Sequence, residues 1–130
     1  MAAAPQYAAT PVAWTGLVPA TNDTSTTAPA HVTSLGSAGS NGTKITQIDV
    51  VPVGTVVSGL VNIFLFDGTA YHLHEVVTIS AYTLSATTAP VKQTYTYDNL
   101  VLPTGWSLAV TTTVAGNESL VEVNAFGASL

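Results

Sequence analysis

The stretch Val57–His74 reads V-S-G-L-V-N-I-F-L-F-D-G-T-A-Y-H-L-H, and its pattern decides the fold. An apolar run from Leu60 to Phe66, interrupted only by Asn62, meets Asp67-Gly68 and then a second alternating run, Ala70-Tyr71-His72-Leu73. Asp-Gly between aromatic and β-branched flanks predicts a β-hairpin, because glycine supplies the positive φ that a tight turn needs. The first strand is apolar on both faces: Leu60, Phe64 and Phe66 point one way, Val61, Ile63 and Leu65 the other. Burial of each such side chain is worth about 1.5–3 kcal/mol. The strand is therefore expected at the centre of its sheet, with its second face covered as well.

On either side of the hairpin the chain reads as short strands divided by turn residues. Upstream, His31–Leu35 is a weak strand and Gly36–Thr43 a loop with an Asn-Gly turn. Lys44–Val51 follows with Ile45, Ile48 and Val50 apolar, and its change of phase after Ile45 predicts a β-bulge. Pro52 and Gly54 end that strand or place it at an edge. Downstream, the second hairpin strand runs from about Ala70 to Ile79, and Ser80–Thr94 is a linker that Tyr82 and Leu84 can anchor. Tyr95–Leu102 is a further strand, and Pro103-Thr104-Gly105 a turn with proline at its second position. From Trp106 to Val114, apolar residues alternate with Ser107, Ala109, Thr111 and Thr113, which predicts a half-buried strand. Leu120–Phe126 closes the series, and the glycosylation-type triplet Asn117-Glu118-Ser119 reads as a hairpin turn.

About seven or eight short strands and no amphipathic helix predict an all-β chain: a single-domain, jelly-roll-like β-sandwich over residues 30–130. An antibody-type domain would carry a Cys…Trp…Cys pattern, and the chain has no cysteine. Residues 1–29 differ in composition, being rich in Ala and Thr and punctuated by Pro5, Pro11, Pro19 and Pro29. Proline removes amide donors and biases its predecessor towards extended backbone, so this region is expected to be an extended N-terminal arm rather than a helix. Tyr7, Trp14, Leu17 and Val18 need burial, which favours an arm docked on its own sandwich or a neighbour's over a disordered tail.

Composition narrows the functional classes. The chain of 130 residues is 47% hydrophobic and only 7% charged, and it holds two lysines, no arginine and seven carboxylates for a net charge of -5. Phosphate recognition needs clustered cations, so neither nucleic acid nor an anionic membrane is an expected partner. The N-terminal residues lack the cationic start and apolar core of a secretory signal, and no run approaches the ~20 apolar residues of a membrane helix. The absence of cysteine excludes disulfides and thiolate metal sites.

Residues that could carry chemistry are scattered. His72 and His74, two apart on a strand, fall on one face, but a metal needs a third ligand and Glu75 points away unless a bulge re-aims it. Asp67 and Asp98 sit where turns use carboxylates for local hydrogen bonds. No Gly-x-Ser-x-Gly element is present, and neither catalytic residues, a metal nor a cofactor is expected. Tyr71, Tyr82, Tyr95, Tyr97 and Trp106 could line a carbohydrate platform, yet their alternation with apolar neighbours favours core or interface positions.

Four segments, N-G-T-K-I at Asn41–Ile45, G-L-V-N-I-F-L-F-D-G at Gly59–Gly68, L-V-L-P-T-G-W-S-L at Leu100–Leu108 and N-E-S-L-V-E-V-N-A-F-G at Asn117–Gly127, occur in an order and spacing that resembles small virion structural proteins of tailed bacteriophages. The resemblance covers residues 38–127. It implies a β-sandwich protein of the particle, of the capsid decoration or cement type, made in the host cytoplasm and carried on the outer capsid surface. It further implies the major capsid protein and further copies of the chain as partners, with homotrimers at local threefold axes, and no catalytic residues. Relatives tend to carry a basic residue on the strand after Asp-Gly, where this chain has His72 and His74. Together with the apolar pattern, it makes Tyr7, Trp14, Leu17, Leu60, Phe64 and Phe66 the candidates for an oligomer or capsid interface. A receptor- or glycan-binding module of the virion, on the tail or a head appendage, is the alternative.

Overall fold

The computed structural model describes residues 10–130, so Tyr7 lies outside the described residues. Eight strands follow in order: β1 (Thr10–Leu17), β2 (Thr33–Ser37), β3 (Thr43–Pro52), β4 (Gly59–Phe66), β5 (Tyr71–Ile79), β6 (Gln93–Leu102), β7 (Ser107–Thr112) and β8 (Val121–Ser129). They form two antiparallel four-stranded sheets, ordered β1-β8-β3-β6 and β2-β7-β4-β5. Strand 1 pairs with 8, 2 with 7, 3 with 6 and 4 with 5. The chain is thus a long two-stranded ribbon folded over itself, and the β4–β5 hairpin is its tip.

The hairpin tip follows from local chemistry. Gly68 takes φ 97°, which an L side chain resists. Beside it the Asp67 carboxylate accepts the amides of Thr69 at 2.8 Å and Ala70 at 2.7 Å, closing an Asx-type turn. β4 then lies between β7 and β5, the central position its two apolar faces predict. Val61 and Ile63 are fully buried on the inner face, and Phe64 is fully buried on the outer one.

The inner faces of both sheets share one core. Ile45, Ile48 and Val50 of β3 with Val121 and Val123 of β8 meet Val61 and Ile63 of β4, Val77 of β5, and Leu108 and Val110 of β7. In β3 the pairing to β8 steps from Ile45 to Gln47 and leaves Thr46 out, the bulge that the change of phase predicts. On one side of the core the indole of Trp14 lies on Gly36, joining β1 to β2.

Three readings change. First, Thr10–Leu17, within the stretch assigned to an arm, is an edge strand paired along its whole length with β8. Its inward positions, Val12, Trp14 and Gly16, lie opposite Gly127, Ala125 and Val123. Second, β7 is buried on both faces, because Ser107, Ala109 and Thr111 are covered as fully as Leu108 and Val110. Small outward residues on a strand between two neighbours are easily covered, so their polarity did not place them in water. Third, the amide of Trp106 donates to the carbonyl of Pro103 at 3.0 Å, which puts proline first in its turn and Gly105, at φ 81°, third.

Asn117 is held inside rather than presented on a turn tip. It is 1% exposed, its amide group donates to the Val57 carbonyl at 2.8 Å, and its carbonyl accepts the Val57 amide at 2.8 Å. This clamp ties the β7–β8 connection to the entry of β4. Asn117→Ala strands both backbone groups and is expected to cost about 1–3 kcal/mol in urea unfolding. A loss within error of zero would show that solvent replaces the clamp.

Candidate functional site

β4 and β5 present eight outward positions, which pair as Leu60 with Thr78, Asn62 with Val76, Phe64 with Leu73 and Phe66 with Tyr71. None carries a charge at neutral pH. Phe64 and Asn62 are buried within the chain, while Leu60 (38% exposed), Leu73 (42%) and Val76 (42%) remain open to solvent. The rings of Phe66 and Tyr71 lie 4.4 Å apart, and Phe64 meets Tyr71 edge-on at 5.9 Å. Aliphatic groups left half in water around an aromatic floor form an apolar stripe.

A bulge makes this stripe. Leu73 and Val76 are three residues apart and would face opposite ways in a regular strand. The β4–β5 register steps from Ile63–Glu75 to Phe64–Leu73, leaving His74 unpaired, and so both Leu73 and Val76 turn outward. The outward positions of the other sheet are mixed: Lys44, Gln47, Asp49, Thr94, Thr96, Glu122 and Asn124 lie among the exposed apolar side chains of Leu17, Val101 and Phe126. There Asp49 accepts from the Gln47 amide at 3.0 Å and lies 3.8 Å from the Lys92 ammonium.

The interface candidates separate in space. Leu60, Phe64 and Phe66 share the stripe, with Phe64 as its buried floor rather than a contact point. Trp14 is half-buried and packed against the core, and Leu17, 41% exposed, faces outward from β1 opposite Glu122. Leu73 and Val76 belong to the surface but escaped the sequence reading, which had no signal for a bulge at His74; Tyr71, read as a core or interface ring, lies beside them.

The same bulge turns Glu75 inward, opposite Ile63, into the side where β5 and β6 face each other. Tyr97 donates its hydroxyl to the Glu75 carboxylate at 3.1 Å, and Tyr95 donates to the side-chain Oε1 of Gln93 at 3.0 Å. Burial, and then the Glu75 charge, pushes both phenols above their ordinary range, so they stay neutral donors and are poor nucleophiles. His74 tilts against Tyr97 at 5.1 Å, whereas His72 stacks on Trp106 at 6.0 Å and meets Asp67 at 2.9 Å. The two imidazoles serve different neighbours, and among the described residues no three His, Asp or Glu side chains could hold a metal. A cavity of about 240 Å³ lies nearby, lined by Ile79, Ala81, Tyr82, Ala89, Val91 and Gln93. Two of its polar side chains are engaged within the chain: Gln93 donates to the Thr78 carbonyl and Tyr82 to that of Thr88.

The hairpin carries one titration that can be read directly. Hydrogen bonds from Ala70, then His72, then Thr69 hold the Asp67 carboxyl down to about 2. A depressed carboxylate contributes to the fold above its ordinary range and loses that contribution as pH falls towards the lowered value. The hairpin amides of Thr69 and Ala70 are therefore expected to exchange slowly at pH 5 and to lose protection between about pH 4 and about pH 2. Protection unchanged down to pH 2 would remove the Asx turn as its cause.

Among the described residues no helix is long and apolar enough to cross a membrane. No protein-family model, curated protein or solved structure matches the chain.

Proposed function

We propose that the protein is a non-enzymatic structural component of a bacteriophage particle: a decoration or cement protein that sits on the outer capsid surface and braces neighbouring capsid subunits. The observation that carries this reading is the strand order. Two sheets ordered 1-8-3-6 and 2-7-4-5, built from a ribbon folded over itself, are what an eight-stranded jelly-roll sandwich requires, an architecture that recurs in viral capsid and lectin domains. Architecture alone is an analogy and admits both classes. The aromatic residues favour the first. A glycan-binding module needs rings presented in open loops, whereas Trp14, Tyr82, Tyr95, Tyr97 and Trp106 are all half-buried against the core.

Attachment rests on apolar and neutral hydrogen-bonding contacts. Only two lysines exist, and Lys92 already faces Asp49 within the chain. Exposed ion pairs contribute roughly 0–1 kcal/mol each, so they cannot hold a particle protein in place. Co-sedimentation with capsids tests this. Raising salt to about 1 M, where the Debye length falls to ~3 Å, is expected to release little protein. Steep release that reverses on dilution would assign attachment to the carboxylates instead.

A further inference from the structure

We propose that the outer face of β4–β5 is where two copies of this chain meet, face to face about a twofold axis. Charge selects the occupant. At a net charge of -5 with two cations, most ways of bringing copies together set carboxylates against carboxylates. The outer face of the other sheet exposes Leu17, Val101 and Phe126 as well, but it would oppose its own Asp49 and Glu122 in such a contact. The β4–β5 face has no ionisable carboxylate or cation at any of its eight outward positions, and it can meet its own image without that repulsion. In a twofold contact each residue is used twice, so Leu73 and Val76 of one copy lie against the Leu60–Phe66 stripe of the other and receive the same contacts in return. Leu60, Leu73 and Val76 then leave water together, with the Phe66 and Tyr71 rings beside them.

Size sets a limit on the contact. Four outward positions on each of two strands, two residues apart, make a strip about 20 Å long and about 10 Å wide. A stable interface covers about 800 Å² per partner. The strip is therefore the apolar centre of the contact, and a polar rim around it, drawn from residues next to the hairpin, completes the area. The pairing differs from the trimer that the phage resemblance implies, and it does not depend on which particle carries the protein.

Sedimentation velocity on the isolated full-length protein, from about 1 to about 100 μM, tests the proposal together with two variants. The wild type is expected to sediment as a dimer or a higher even-numbered assembly. Leu73→Glu/Val76→Glu places four carboxylates in each twofold contact and is expected to raise the dissociation constant at least about 100-fold. Both side chains are 42% exposed, so the variant should keep its far-ultraviolet circular dichroism and melting temperature. Thr96→Glu, exposed on the other sheet, should leave association unchanged. A monomeric wild type, an odd-numbered assembly, a double variant that associates as tightly as wild type, or equal loss in the Thr96→Glu control would each overturn the proposal.

Discussion

Replacing Gly127 by alanine is expected to cost about 3 kcal/mol or more. Gly127 lies in β8 between Val12 of β1 and Ile45 of β3, beside the Thr46 bulge. A Cβ there would run into the Lys44 carbonyl oxygen and come within 2.9 Å of the Ile45 Cα. Both obstacles are main chain, so no side chain can swing away, and the β3–β8 pairing must shift instead. A loss of that size is a large fraction of the roughly 5–15 kcal/mol that holds a domain folded. Gly39→Ala is the control, because its added methyl meets nothing nearer than the Ser129 hydroxyl at 3.7 Å and should stay within about 0.5 kcal/mol. Chemical denaturation of both variants checks the contrast, and a mild effect at Gly127 would mean that the bulge accommodates a side chain.

Phe64→Ala is expected to destabilise by about 3–5 kcal/mol, the usual range for emptying a fully buried phenylalanine site. The ring is 0% exposed on the outer face of the central strand and is braced by Tyr71. Its removal withdraws support from Leu73, its cross-strand partner, and from Tyr71, so association should weaken as a consequence of lost stability. Leu60→Ala separates the two effects. With Leu60 38% exposed, it should cost about 1 kcal/mol or less in unfolding and act mainly on self-association. Equal losses at both positions would show that the face is simply part of the core.

The contrast between Phe64 and Leu60 also marks how far sequence reasoning reaches. Seven consecutive positions, Leu60–Phe66, with one polar interruption place β4 at the centre of a sheet, since no edge strand can bury two faces. Likewise Ile45 and Ile48 reveal a bulge, because three residues cannot separate two inward positions of a regular strand. The pattern fails where composition masks alternation. Val12 and Trp14 alternate correctly in β1, yet Pro11 and the surrounding alanines hide it. It fails again in β7, where Thr111 looks solvent-facing but is fully buried.

The candidate surface was half legible. Leu60, Phe64 and Phe66 follow from period-two spacing alone, but Leu73 and Val76 join them only through the unpaired His74. Nothing in Tyr71–Ile79 announces that bulge, since either phase leaves apolar residues on both faces. The same step moves Glu75 from the face of Tyr71 and Leu73 to that of His72, where it accepts the Tyr97 hydroxyl. A tertiary contact between β5 and β6 settled a question that local pattern left open.

The measurement that bears most directly on the proposed role is an electron-microscopy reconstruction of the purified particle that carries this protein. The reading predicts density for two packed four-stranded sheets, repeated in many copies on the outside of the shell and bridging adjacent capsid subunits. Density confined to the tail, or a shell whose exterior holds no such domain, would contradict it.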